Sequence, residues 1–197
     1  MIRIDENASY ITIRNTRFFN NQIADCTSFI FITSTSGPAP PHHLTFENNY
    51  FGLPATGCYY AFQTQATNIP VCDHFLLRYN SFAFSPWADS CTSNNGSIFK
   101  GNIAPRGSSC PTHLTTSYNL WQWNTNSPCG TGDKVAIGTQ YGYDKLGYLN
   151  PTSGDLSLTP NSPATNAADP ADYPTTDINA TPRPRGGAPD IGATESG

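Results

Sequence analysis

One short pattern recurs along this chain at uneven intervals: hydrophobic, any residue, hydrophobic, polar, any, Asn, any, large apolar. It appears as Ile11-Thr12-Ile13-Arg14-Asn15-Thr16-Arg17-Phe18, with Thr16 in the Asn position. It returns as Leu44-Thr45-Phe46-Glu47-Asn48-Asn49-Tyr50-Phe51 and as Phe75-Leu76-Leu77-Arg78-Tyr79-Asn80-Ser81-Phe82. Weaker copies are Ile98-Phe99-Lys100-Gly101-Asn102-Ile103 and Leu114-Thr115-Thr116-Ser117-Tyr118-Asn119-Leu120-Trp121. The shared position is Thr16, Asn49, Asn80, Asn102 and Asn119, at spacings of 33, 31, 22 and 17 residues. A fixed local motif at variable spacing suits a solenoid whose loops differ in length. Strands this short cannot bury an apolar side alone and must stack on neighbours. Asn tolerates the left-handed backbone of a tight bend, and stacked Asn side chains can bond from coil to coil. The predicted fold is all-β: a single-stranded right-handed parallel β-helix of about five or six coils, at about 4.8 Å per coil. A sandwich with turn Asn residues is the rival, but its strands would not keep one motif through five copies.

Charge narrows the function. Ten Lys and Arg face fourteen Asp and Glu, and charged residues are only 12% of the chain. A nucleic-acid binder needs a basic patch, and a helical bundle needs many exposed Glu, Lys and Arg. Neither is expected. Sixteen Gly and seventeen Pro imply many turns. No apolar run approaches the roughly 20 residues that span a membrane. The pattern begins at once with Ile2-Arg3-Ile4, so further upstream coils of a longer chain are expected as partners of the first strands. Residues 1–153 are predicted to form the coils, and 154–197 the last coil and a capping tail.

From Gly154 the character changes. The segment Gly-Asp-Leu-Ser-Leu-Thr-Pro-Asn-Ser-Pro-Ala-Thr-Asn-Ala-Ala-Asp runs to Asp169. Thr176-Asp177-Ile178-Asn179-Ala180-Thr181-Pro182-Arg183-Pro184 follows, then Gly187-Ala188-Pro189-Asp190-Ile191-Gly192-Ala193-Thr194-Glu195. This resembles the C-terminal end of secreted bacterial right-handed β-helix proteins of the choice-of-anchor and polysaccharide-lyase-like group. Their typical ending is Ser-Pro-Ala-Ile-Asp-Ala-Gly, Asp-x-Asp-Gly-x-x-Arg-Pro, then Asp-x-Gly-Ala-x-Glu. Here Thr165 and Asn166 replace Ile-Asp, Ala168 replaces Gly, Asn179-Ala180 replaces Asp-Gly, and Thr194 replaces an aromatic. The resemblance implies a tail that folds back on the last coil and closes it, with Asp177, Arg183, Asp190 and Glu195 as cap residues. It also implies a secreted or cell-surface protein acting on carbohydrate.

The six cysteines fit an oxidising compartment. Cys26, Cys58, Cys91, Cys110 and Cys129 each follow the shared position by 8 to 11 residues, and Cys72 precedes Asn80 by 8. One column up the solenoid would place neighbours within disulfide reach. The expected pairing is 26–58, 72–91 and 110–129, with 58–72 and 91–110 as the rival. No Cys-x-x-Cys pair points to a metal site.

Alternation sends Ile11 and Ile13 inward, hence Tyr10, Thr12 and Arg14 outward. Two outward columns result. One is Tyr10, His43, His74, Gly96, His113. The other, four residues along each strand and about 13 Å away, is Arg14, Glu47, Arg78, Lys100, Ser117. A lyase must neutralise a uronate carboxylate and abstract a proton. Arg78 and Lys100 are candidates for the first task, and His43 or His74 for the second. Arg14, Glu47, Trp87, Trp123, Tyr59 and Tyr60 are candidate substrate-binding residues, the aromatics as sugar platforms. Trp121 is expected in the core. The same columns also read as solvated ladders, Glu47 between two arginines being an ordinary cross-strand arrangement. No cofactor is required. Calcium on stacked Asp25, Asp73 and Asp89 is a rival to simple turn roles for these residues. Asn7, Asn95 and Asn179 head Asn-x-Ser/Thr sequons. The expected function is binding or cleavage of an acidic polysaccharide, by a lyase or glycoside hydrolase if an enzyme. A structural or adhesin-type surface module is the alternative.

Overall fold

The computed structural model of the chain describes residues 1–5, 7–19, 28–33, 39–53, 59–65, 71–88, 93–106 and 109–196. The chain repeatedly lays short strands on those of the preceding pass. The first pass is β1 (Ile2–Ile4), β2 (Thr12–Arg14) and β3 (Arg17–Phe18). The second is β4 (Ser28–Thr33), β5 (Thr45–Glu47) and β6 (Tyr50–Phe51). The third is β7 (Tyr60–Gln65), β8 (Val71–Asp73), β9 (Leu76–Arg78) and β10 (Ser81–Phe82). The fourth is β11 (Trp87–Ala88), β12 (Ser93–Asn95), β13 (Ile98–Lys100) and β14 (Ile103–Pro105). Then come β15 (Thr115–Ser117), β16 (Leu120–Trp123) and β17 (Lys134–Ile137).

Three parallel sheets collect these strands. They run β1-β4-β7-β11, β2-β5-β9-β13-β15 and β3-β6-β10-β14-β16-β17, and β8 pairs with β12 beside the second. Register in the second sheet is unbroken: Ile13, Phe46, Leu77, Phe99 and Thr116 align, as do Arg14, Glu47, Arg78, Lys100 and Ser117. Phe46, Leu77 and Phe99 are fully buried. In the third sheet the rings of Phe18, Phe51 and Phe82 stack at 4.8 and 4.9 Å. Ala104 takes the next position, opposite Trp121, and Phe99 stacks on Trp121 at 5.2 Å. Burying a side chain of this size stabilises by about 1.5–3 kcal/mol.

The Asn ladder turns the corner between the second and third sheets. Asn80 Oδ1 accepts from the Asn49 N–H at 3.0 Å, Asn102 Oδ1 from the Asn80 N–H at 2.9 Å, and Asn119 Oδ1 from the Asn102 N–H at 2.9 Å. Each amide also donates backwards to a strand carbonyl, Asn80 to Phe46 and Asn102 to Leu77. These four Asn residues are wholly buried. The ladder has two different ends. Thr16 turns its hydroxyl to its own strand, on the Arg14 carbonyl. Asp133 closes the other end: Oδ1 accepts the Asn119 N–H at 2.8 Å, and Oδ2 accepts Trp121 Nε1 and the Gly130 N–H. A carboxylate only accepts, so it suits a terminus surrounded by donors.

β18 (Tyr148–Asn150) and β19 (Asp155–Leu158) form an antiparallel pair, and the chain then continues irregularly. This segment runs lengthwise over the outer face of the third sheet. Arg17 Nη2 donates to Asn179 Oδ1 in the first pass, Asn48 Nδ2 to the Thr176 carbonyl in the second, and Gly192 N–H to the Gly101 carbonyl in the fourth. The cause is the composition of that face. Tyr50, Ile103 and Leu120 point outward from the third sheet, so both faces are apolar and the outer one needs a cover. Leu146, Tyr148, Leu156, Ile191 and Ala193 supply it. Asp177, Arg183, Asp190 and Glu195 are buried and hold this segment to itself.

Cys110 and Cys129 are bonded, with Cα atoms 5.5 Å apart, which excludes the rival 91–110 pair. Cys72 is also disulfide-bonded. Cys26, Cys58 and Cys91 lie outside the described residues.

Candidate functional site

The second sheet carries both outward columns. Each of its strands is left through a left-handed residue, and β2, β5, β9 and β13 are also entered through one. Tyr10, His43 and His74 precede β2, β5 and β9 at φ 56°, 55° and 54°, and Gly96 precedes β13 at φ 70°. Asn15, Asn48, Tyr79, Gly101 and Tyr118 follow the strands at φ 52–64°. This repeated bend sets the rings of the first column above one another. Tyr10 and His43 lie 4.7 Å apart, and His43 and His74 stack at 4.3 Å with planes 4° apart. The stack ends on Gly96, where a Cβ would sit 3.2 Å from the His74 ring. His113 stands two residues before Thr115, at the matching register position, but outside this stack and the groove beside it.

Bonding at the edges fixes the rings. Asp73 Oδ1 accepts from His74 Nδ1 at 2.6 Å and from Asn95 Nδ2 at 2.7 Å. A carboxylate partner assigns the proton of neutral His74 to Nδ1 and leaves Nε2 as an acceptor. His42 Nδ1 and His43 Nδ1 are 2.8 Å apart, so one donates to the other. The backbone N–H groups of His43 and His74 are held by the carbonyls of Asp73 and Asn95. A groove of about 360 Å³ runs beside the stack, lined by Tyr10, Thr12, His43, Thr45, His74, Leu76, Gly96 and Ile98. Because the faces of His43 are occupied by neighbouring rings, the groove meets ring edges, with their nitrogens, over a floor of Leu76, Ile98 and threonine. Parity found the column. His42 and the orienting role of Asp73 fall off that parity and were missed; Asp73 immediately preceding His74 was the available signal.

The second column is differently engaged. Arg78 Nε donates to Glu47 Oε2 at 2.5 Å, and its Nη1 lies 3.2 Å from Asp172 Oδ1. Lys100 Nζ contacts Asp169 at 2.9 Å and Asp172 at 2.7 Å. The two cations expected to bind a substrate carboxylate therefore already hold carboxylates of the tail. Burial works against the charge of Lys100, but the bonds to Asp169 and Asp172 outweigh it and raise its pKa. The Lys100 bond, aided by the Ala171 N–H, pulls Asp169 below the ordinary carboxylate range. A depressed carboxylate contributes stability above its unfolded value of 3.8, lost as pH falls through the lower folded value. A raised lysine contributes below 10.5, and that share is lost as pH rises past the higher folded value. Denaturation midpoints measured from pH 2.5 to 7 should show wild type more stable than Asp169→Asn at neutral pH. The gap should close below pH 3.8. A gap constant across that range would remove the clasp from the stability of the tail. Arg14 is exposed and has no ion pair among the described residues.

The aromatic candidates are not gathered into this groove. Trp87 packs in the interior against Phe62 and Phe75, because its position on β11 aligns with buried Phe62. Trp123 is buried under the Arg106 guanidinium, 4.4 Å from its ring. Tyr60 lies on β7 of the first sheet, away from the second, and Tyr59 beside it is exposed. Trp121 is in the core. Asp25 and Asp89 lie outside the described residues, while Asp73 is bonded to His74 and Asn95. Among the described residues no group of three or more His, Cys, Asp or Glu is placed to hold a metal ion, and no helix is long and apolar enough to cross a membrane. No protein-family model, curated protein or solved structure matches this chain.

Proposed function

We propose that the chain is a right-handed parallel β-helix of a secreted carbohydrate-active protein, and that it binds a polysaccharide along the groove beside Tyr10, His43 and His74. Coil-on-coil parallel pairing in three sheets and the in-register Asn ladder support the fold. A disulfide suits an extracellular setting. The observation that carries the function is the groove itself: an apolar floor edged by hydroxyls and imidazole nitrogens, extended along the stacking direction. Binding sites combine an apolar surface with a few placed polar groups, and a sugar ring offers the matching CH face and hydroxyl rim. His74, with Nδ1 engaged by Asp73, keeps Nε2 as a proton acceptor for cleavage.

Native affinity electrophoresis against a polysaccharide panel tests this, with reducing ends assayed in the same incubations. Retardation by at least one polymer is expected, weakened in the His43→Ala/His74→Ala variant. New reducing ends would mark an enzyme, and retardation without them a binding module. No retardation on any polymer would leave the second reading, a structural or adhesin-type surface module. That reading is favoured by one observation, the occupation of Arg78 and Lys100 by the tail.

A further inference from the structure

Resting on the reading of the groove as a saccharide site, we infer that its ligand is an uncharged glycan, and not the acidic polymer that the Arg and Lys column suggests in sequence. Charge distribution carries the inference. The eight groove residues include no Arg or Lys. On one side, Arg78 and Lys100 form a closed network with Glu47, Asp169 and Asp172, two cations against three carboxylates. On the other side stands Asp73, bonded to His74. A uronate lying in the groove would thus have the Asp73 carboxylate on one side and, about four residues of strand or about 13 Å away on the other, a network whose cations are already paired. A like charge beside a site, with no free cation in it, selects against an anionic ligand. Arg14, the exposed cation of this face, is displaced from the ring column by about four residues of strand, about 13 Å. What the groove does offer is apolar surface and hydrogen-bonding groups. Leu76, Ile98 and the threonine methyls form a floor for the CH face of a sugar. The hydroxyls of Tyr10, Thr12 and Thr45 and the outer edges of His43 and His74 face its hydroxyls.

The test titrates the whole chain with uncharged polymers (hydroxyethylcellulose, xyloglucan, galactomannan) and acidic ones (polygalacturonate, alginate, hyaluronate) by affinity electrophoresis at low and high salt. Retention by an uncharged polymer, unchanged by salt, is expected, without retention by the acidic set. Thr45→Trp, which fills the middle of the groove, should abolish that retention. Thr12→Trp, at the exposed first strand, repeats the test should the first variant fail to fold as judged by circular dichroism. Leu76→Lys should confer retention by polygalacturonate that fades at high salt, as a screened charge interaction does. Retention of wild type by the acidic polymers alone overturns the inference and leaves the saccharide reading standing. Retention by uncharged polymers that survives both tryptophan variants overturns the site. No retention by either set overturns the saccharide reading, and this inference with it.

Discussion

Asn80→Ala should lower the unfolding free energy by about 2–5 kcal/mol, because each buried polar group left without a partner costs about 1–3 kcal/mol. Asn80 Oδ1 receives both the backbone N–H and the Nδ2 of Asn49, each at 3.0 Å, and Asn80 Nδ2 donates to the Phe46 carbonyl at 2.9 Å. Alanine removes all three bonds in a fully buried place. The effect belongs to position, not to asparagine as such. Thr16→Ala, at the open end of the ladder, removes one exposed bond to Arg14 and should cost under about 1 kcal/mol. Asn80→Asp should be as damaging as alanine, since a carboxylate faces Asn102 Oδ1 and the Phe46 carbonyl, both acceptors. At Asp133 the preference inverts: Asn there would turn an NH₂ toward Trp121 Nε1 or the Gly130 N–H, both donors. Guanidinium denaturation midpoints of the four variants measure the series. Equal costs for Asn80→Ala and Thr16→Ala would mean that the ladder follows the stacking of the coils and does not support it.

The same ladder explains what could be read in the sequence. Asn at a fixed offset from two alternating apolar residues places the corner between the second and third sheets at Asn49, Asn80, Asn102 and Asn119. The outward columns then follow from parity, and Arg14, Glu47, Arg78, Lys100 and Ser117 do align. Asp133 is not legible from an Asn motif, because the motif is a residue type whereas the geometry asks for an acceptor. The long passage over the third sheet escaped because Tyr50, Ile103 and Leu120 sit between inward neighbours and give the strands a continuous apolar reading, which does not say what covers the outside. That cover decides the fate of the candidate cations. Asp169 and Asp172 lie about seventy residues from Lys100 and carry no periodic signal, so Arg78 and Lys100 look free in sequence and are paired in the fold. The Tyr10, His43 and His74 column could be read in advance for the opposite reason: its geometry is set within each pass, by a left-handed residue at one fixed place before β2, β5 and β9.

Arg183→Met should cost about 3–5 kcal/mol, the penalty for stranding one charge of a buried pair. Arg183 and Glu195 side chains are 0% and 1% exposed and 3.2 Å apart. The guanidinium also donates to the carbonyls of Asp190 at 2.8 Å and Gly192 at 2.7 Å, and it lies over the Tyr79 ring at 5.0 Å. It therefore joins the end of the tail to the bend that follows β9. Burial lowers the pKa of Arg183, opposed by Glu195 and its acidic neighbours. Burial likewise raises that of Glu195, offset by N–H bonds from Arg185 and Asp190. Each charge is costly to bury and is held by the other and by backbone dipoles. Removing Arg183 leaves Glu195 with only its N–H donors, so its carboxyl should rise further and take up a proton nearer neutrality. A raised carboxylate stabilises the folded form as pH falls into that range, so Arg183→Met should lose less stability in acid than at neutral pH. Arg183→Met/Glu195→Gln removes the stranded charge and should recover part of the loss, while leaving the Asp190 and Gly192 carbonyls short of a donor. Arg183→Lys cannot reach two carbonyls and a carboxylate with one ammonium fork and should fall between wild type and Met. Denaturation of this set at neutral and acid pH measures the coupling. A double variant no more stable than Arg183→Met, with no relief in acid, would assign the loss to the carbonyl bonds and the Tyr79 contact and not to the buried charge.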